Sequence, residues 1–154
     1  MGEASQTDSA INLSAEIRAK LAQSHGQILE LCDLLESIAD SLPNHLDSRK
    51  CHQAAIMVQP TVEKMHRLEE DSVFPFLEET NPTESEREII ARLKEEHCED
   101  ECYAEELTDA LNRIALGEGE PVAPETLGYM LRGFFGAMRR HIAYEQEHFR
   151  LKAG

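Results

Sequence analysis

Two histidines of this sequence are each followed by a glutamate four residues later. They occur in His66-Arg-Leu-Glu-Glu70 and in His141-Ile-Ala-Tyr-Glu145. On a helix this spacing places the imidazole and the carboxylate on the same face, one turn apart. Imidazole nitrogens combined with carboxylate oxygens suit iron, manganese or zinc as ligands. The two motifs therefore predict a metal site between helices.

Four long stretches, with apolar residues at steps of three and four, predict the helices that position these side chains. Their expected bounds are about Ser14 to Leu42, Asp47 to Glu79, Thr83 to Gly117, and Pro124 onwards. Pro60 is expected to kink or break the second helix, because proline has no amide hydrogen to donate. Short connections make neighbouring helices antiparallel. We therefore expect an all-α fold, an up-down-up-down antiparallel four-helix bundle.

Each predicted helix carries one histidine on its apolar stripe: His25, His66, His97 and His141. Counted from the shared turns, the four histidines lie within about 3 Å of the same height at about 1.5 Å per residue. Glu70 and Glu145 would then face each other across the core. Two buried carboxylates repel unless a cation lies between them, and a pair of metal ions supplies that charge.

Two other interpretations of these residues remain open. Ferritin-like bundles use Glu-x-x-His, a spacing that Glu63 with His66 and Glu145 with His148 also satisfy. That scheme places His148 beyond the histidine layer and gives no role to His25 or His97. A helical adaptor without metal is the purely structural alternative.

This pattern of four histidines and two glutamates resembles the hemerythrin or HHE cation-binding family. The resemblance covers roughly residues 14–151 and leaves residues 1–13 as a polar tail. It implies two iron ions, with an oxo or hydroxo bridge, between bridging carboxylates of Glu70 and Glu145. By the same resemblance, His25 and His66 would cap one iron, and His97 and His141 the other. Manganese or zinc would also suit these ligands.

The sequence departs from oxygen-carrying hemerythrins at Glu101, where those proteins have a fifth histidine. The substitution argues against reversible oxygen carriage. A carboxylate there would favour ferric iron as a further metal ligand. Glu101 also belongs to the acidic run Glu99-Asp100-Glu101, which is typical of a solvated helix face.

The function expected from this resemblance is a non-haem di-iron protein that binds or senses oxygen, nitric oxide or a related small oxidant such as peroxide. One alternative is a di-iron redox enzyme, such as an oxidase, peroxidase or ferroxidase. Another is a protein that repairs iron-sulfur centres or donates iron. Many such repair proteins carry an additional cysteine-bearing N-terminal domain, whereas here only a short polar tail precedes the first helix.

The charge balance limits the partners of the protein. It has 15 basic and 30 acidic residues, a formal net charge of -15, which repels nucleic acid and anionic membranes. No apolar run approaches the roughly 18 residues of a membrane span, and the first ten residues are too polar for a signal peptide. We therefore expect a cytoplasmic protein that has a small ligand and no nucleic-acid or membrane partner.

Overall fold

The computed structural model describes residues 13–149. Most of the predicted tail, residues 1–12, and the predicted end of the domain at residue 151 lie outside the described residues. The helical elements are α1 (Ala15–Asp40), α2 (Ser48–Leu68), a π-helical turn (Glu69–Val73), α3 (Phe74–Glu79), α4 (Glu84–Leu116) and α5 (Pro124–His148). α2, the π-helical turn and α3 follow one another without a gap and form one continuous helical segment. We call this segment the second arm of the bundle, and α1, α4 and α5 the first, third and fourth arms. The predicted four-helix bundle is confirmed.

Local side-chain chemistry explains where the helices begin and end. Ser14 and Asp47 cap α1 and α2 by accepting hydrogen bonds from backbone N–H groups of the first turn. At the start of α4, Thr83 and Glu86 form the predicted capping box. The same helix ends at Gly117, whose φ of 64° is a left-handed conformation that glycine adopts without strain. The predicted bounds therefore agree with the observed ones to within a few residues.

Of the kink or break expected at Pro60, the break is wrong, because α2 continues through this residue without interruption, and the kink stays a prediction. Pro60 has no N–H to donate to the carbonyl of Ile56, four residues earlier. Both residues lie on the exposed face of α2, so this carbonyl is on the solvent side of the helix. The helix instead changes at the π-helical turn, which ends two residues before Pro75. Pro75 has no amide hydrogen for the carbonyl of Asp71, and a wider turn accommodates that loss.

The core consists of two apolar clusters with a polar layer between them. The larger cluster fills the half of the bundle that contains Leu35, Val58 and Leu107. The smaller cluster, around Leu21 and Phe74, closes the other end. Along each arm, the predicted histidine lies between residues of the two clusters. Among residues 13–149, no helix is both long enough and apolar enough to cross a bilayer.

Candidate metal centre

The structure brings the four predicted histidines into the polar layer, one from each arm, and all four are buried. The rings of His66 and His97 stack with centroids 3.9 Å apart, and the His141 ring lies 6.3 Å from that of His97. Nε2 of His25 and Nε2 of His141 are each 3.2 Å from the same oxygen, Oε2 of Glu145. Four imidazoles therefore converge on one buried carboxylate layer.

Glu69 and Glu145, which we call the inner carboxylates, are fully buried in this layer. Glu69 forms a short hydrogen bond with Nε2 of His97, and its Oε1 lies 3.7 Å from Nε2 of His141. Glu69 is not among the site residues predicted from the sequence. The apolar stripe of the second arm marks this residue, since Glu69 is seven residues after Val62 and four before Val73.

Glu70 was predicted to bridge the metals, but the structure does not bring it into the buried layer. Its side chain is 52% exposed, and its Oε1 lies 3.0 Å from Nδ1 of His97, on the outer edge of the ring. Residues three and four positions after a helical histidine share its face, so spacing alone does not distinguish Glu69 from Glu70. The bridging role of Glu70 stays a prediction, and Glu69 is a second candidate for it.

Glu101 also lies outside the buried layer. Its side chain is 49% exposed, and its Oε1 is 2.9 Å from Nδ1 of His66. We call Glu70 and Glu101 the outer carboxylates, since each contacts the outward nitrogen of one histidine. Direct ligation by Glu101 stays a prediction.

The charges of the inner groups depend on one another in the metal-free chain. Burial and the charge of Glu145 raise the pKa of Glu69. Burial alone would raise the pKa of Glu145, but its contacts with Glu69, His141 and His25 hold that pKa well below its usual range. Burial lowers the pKa of His141, but the Glu145 and Glu69 carboxylates outweigh it and raise the pKa to about 11. Protons thus supply the positive charge that two buried carboxylates require.

Several buried atoms of the layer make no hydrogen bond within the described part of the chain. They include Oε1 of Glu69, Oε1 of Glu145, Nε2 of His66 and both ring nitrogens of His141. Buried polar atoms are almost always paired, so a cluster of unpaired ones at a single place calls for an explanation. Carboxylate oxygens and imidazole nitrogens are metal donors, and bound cations would pair them. The residues present therefore fit a metal site.

Within the described part of the chain, ligand atoms that lie within 4.8 Å of one another form two groups, Glu69–His97–His141 and His25–Glu69–Glu145. Glu69 belongs to both groups, which is the arrangement that a carboxylate shared by two ions requires. His97 and His141 both belong to the first group, and their expected role as the caps of one iron stays a prediction. His66 belongs to neither group, so its expected pairing with His25 stays a prediction.

His148, on which the ferritin-like alternative depends, is separate from this layer. Its Nδ1 lies 2.8 Å from the carbonyl oxygen of Tyr144, and its ring packs on the Tyr144 ring. The Glu-x-x-His spacing of Glu145 and His148 therefore does not bring both side chains to one site.

Comparison with known proteins agrees with this geometry. The hemerythrin HHE cation binding domain matches residues 16–150, which is most of the chain. Neither the curated proteins nor the solved structures contain a match to the sequence. The matched range includes all four buried histidines and both inner carboxylates, and the chain belongs to the hemerythrin HHE cation-binding family.

Proposed function

We propose that the protein holds a pair of iron ions in the histidine layer and that it binds or senses oxygen, nitric oxide or a related small oxidant there. The observation that carries this proposal is the buried layer of four imidazoles and two inner carboxylates, several of whose donor atoms make no hydrogen bond to any described residue. Iron bound in this layer would supply an Fe(II)/Fe(III) couple. His25, His66, His97 and His141 would supply nitrogen ligands, and Glu69 and Glu145 would supply oxygen ligands.

The outer carboxylates support the same proposal. Glu70 lies 3.0 Å from Nδ1 of His97, which leaves Nε2 of that ring directed toward Glu69. Glu101 contacts Nδ1 of His66, whose Nε2 makes no hydrogen bond to any residue between 13 and 149. A carboxylate on the outer nitrogen of a metal-binding histidine fixes the ring orientation and makes the inner nitrogen a stronger ligand. In this arrangement, Glu70 and Glu101 orient ligands.

The number of inner donors favours a small ligand over a closed structural metal site. A pair of imidazoles with a carboxylate leaves open positions on a non-haem iron, as in iron sites that bind oxygen. Glu101 occupies the sequence position of the fifth histidine of oxygen carriers, yet its exposed side chain points to the outer edge of His66. Phe74 packs on the His97 ring, with centroids 5.5 Å apart, and shields this side of the layer from water.

Metal analysis combined with optical spectroscopy tests the proposal. Protein purified without chelator should contain a pair of irons per chain, and its visible spectrum should change when oxygen, hydrogen peroxide or nitric oxide is added. His66→Ala should lower the iron content, because it removes one nitrogen ligand. His52→Ala is the matched control, since His52 is exposed on the same helix and should leave the iron content unchanged.

Three results would contradict this assignment in different ways. A chain that takes up no iron from an anaerobic Fe(II) solution would rule out the metal centre itself. Iron that is present but whose spectrum ignores all three ligands would rule out binding or sensing. Continuous consumption of oxygen or peroxide would identify an enzyme in place of a sensor.

A further inference from the structure

A cleft of about 360 Å³ between α4 and α5 leads from the surface to the metal layer. These two helices pack on each other much less than α4 packs on α2. Residues of both helices line the cleft, including Glu96, Glu99 and Asp100 of α4 and Ala137, Arg140 and His141 of α5. Glu99 is exposed at the surface, whereas His141 is buried in the metal layer, so the cleft connects solvent with a site histidine.

Asp100 lies at the inner end of this cleft, close to two site histidines. Its Oδ2 is 3.7 Å from Nδ1 of His141 and 3.8 Å from Nε2 of His66. All three atoms are buried, and none of them makes a hydrogen bond within residues 13–149. Two imidazole nitrogens that lack a hydrogen bond within the described residues thus lie close to one carboxylate oxygen that also lacks one. Nδ1 of His141 has a second carboxylate neighbour, since Oε2 of Glu96 is 3.2 Å away.

These separations fit a cation that passes between the groups. Metal–nitrogen and metal–oxygen bonds of about 2.0–2.2 Å allow two ligand atoms of one ion to lie up to about 4.2 Å apart. The distances from Asp100 to the two histidines are within that limit, and they are too long for direct hydrogen bonds. Asp100 is therefore close enough to share an ion with either histidine.

The charge of the cleft also favours a cation. Three carboxylates, those of Glu96, Glu99 and Asp100, face two guanidinium groups, those of Arg92 and Arg140. Arg92 is engaged, since its Nε donates to Glu96 at 3.0 Å and its guanidinium stacks over the Tyr144 ring. Two carboxylates lie at the inner end: that of Asp100, which is 14% exposed, and that of Glu96, whose Oε2 is 3.2 Å from Nδ1 of His141.

We propose that this cleft is the uptake route for divalent metal cations, and that Asp100 passes the incoming ion to Nε2 of His66, the nitrogen of that ring that does not contact Glu101. This inference rests on the proposed metal centre and adds the path by which it is filled. A buried carboxylate at the inner end attracts the cation, and the imidazoles replace the water that the ion loses. Asp100 then serves uptake, while the inner carboxylates and histidines hold the ion at equilibrium.

The rate of metal uptake tests the route. Metal-free protein, prepared by dialysis against EDTA, is mixed with cobalt(II) chloride, and the visible absorption of bound Co(II) is followed by stopped flow. Asp100→Asn should slow uptake roughly tenfold, because it removes the attracting charge, and should leave the final cobalt content unchanged. Glu95→Gln is the matched control, because Glu95 is an exposed acid of the same helix outside the cleft. It should change the rate by less than about twofold, since solvent screens its charge.

A second variant narrows the cleft without changing its charge. Ala137 lies on the cleft wall and is half-buried, so Ala137→Met should also slow cobalt uptake. Far-UV circular dichroism of each variant establishes that it is folded, and if Asp100→Asn is not, Ala137→Met decides the test alone.

Three outcomes have distinct meanings. Uptake by Asp100→Asn at the rate of Glu95→Gln, or unchanged uptake by Ala137→Met, would overturn the route. A lower final cobalt content in folded Asp100→Asn would also overturn it, since Asp100 would then be a permanent ligand. If the wild-type chain bound no cobalt at all, the proposed metal centre itself would be wrong.

Discussion

α5 runs as a regular helix through His141 and Glu145, whereas the second arm enters a π-helical turn directly after Leu68, two residues beyond His66. Both side chains of the α5 motif are buried, one turn apart. In the second arm the buried carboxylate is three residues after the histidine, at Glu69, and the glutamate at the fourth position is half exposed. Two motifs with the same spacing in the sequence thus have different structures.

The apolar stripes explain this difference. Glu145 is seven residues after Met138 and four before Phe149, and both of these side chains are buried. Glu69 has the same relation to Val62 and Val73. Measured against the packing stripe, Glu69 and Glu145 are equivalent positions, and only the histidine differs by one residue. The position of a glutamate on the apolar stripe, more than its spacing from the histidine, therefore determines whether its carboxylate is buried.

The largest effect should come from the inner carboxylates. Glu145→Gln and Glu69→Gln should each weaken iron binding more than about 100-fold, because each removes an anionic ligand and not merely a group that orients one. Titration of metal-free protein with Fe(II) under anaerobic conditions measures the affinity. Glu147→Gln, an exposed acid of α5, is the control and should bind iron as the wild type does. Wild-type affinity in Glu69→Gln would end the proposed equivalence of Glu69 and Glu145.

A smaller effect is expected at the outer carboxylates. Glu70→Gln and Glu101→Gln should weaken iron binding about 10- to 100-fold, because each variant weakens the contact that orients a histidine ring. The same titration measures both variants. If Glu70→Gln abolishes binding and Glu69→Gln does not, Glu70 is the bridging ligand that its spacing from His66 predicts.

The fold and the histidine layer could be predicted because both depend on local regularities. Helix ends follow from caps such as Thr83 with Glu86, and the orientation of each arm follows from its apolar stripe. The height of each histidine follows from a constant rise per residue. These features depend on a few neighbouring residues, which a single sequence contains in full.

The remaining features depend on contacts between arms or on competing local effects. Glu69 and Glu70 are both compatible with a helical face shared with His66, and only packing against the other arms buries one of them. Pro60 and Pro75 have the same chemistry, but the exposed Pro60 leaves α2 continuous, while Pro75 follows a π-helical turn. Asp100 looked like part of a solvated acidic run, and its proximity to His66 and His141 follows only from the packing of three arms.

The smallest expected effect concerns stability without metal, where the two inner carboxylates should behave oppositely. The pKa of Glu145 is lower in the folded chain than its ordinary value of 4.5, so its ionised form stabilises the fold above that pH. The pKa of Glu69 is raised, so the folded chain favours its protonated form and its ionised form costs stability. The stability contributed by protonated Glu69 is therefore lost as the pH rises through that raised pKa.

At pH 7, Glu145→Gln should therefore destabilise the metal-free protein by roughly 1–3 kcal/mol, while Glu69→Gln should leave stability unchanged or raise it. Urea unfolding in EDTA between pH 3 and 8 measures both, and the loss in Glu145→Gln should shrink as the pH falls below 4.5, because the unfolded wild-type chain then takes up a proton at this carboxylate while the folded chain does not. Destabilisation of equal size in both variants would show that the two inner carboxylates carry the same charge in the metal-free protein.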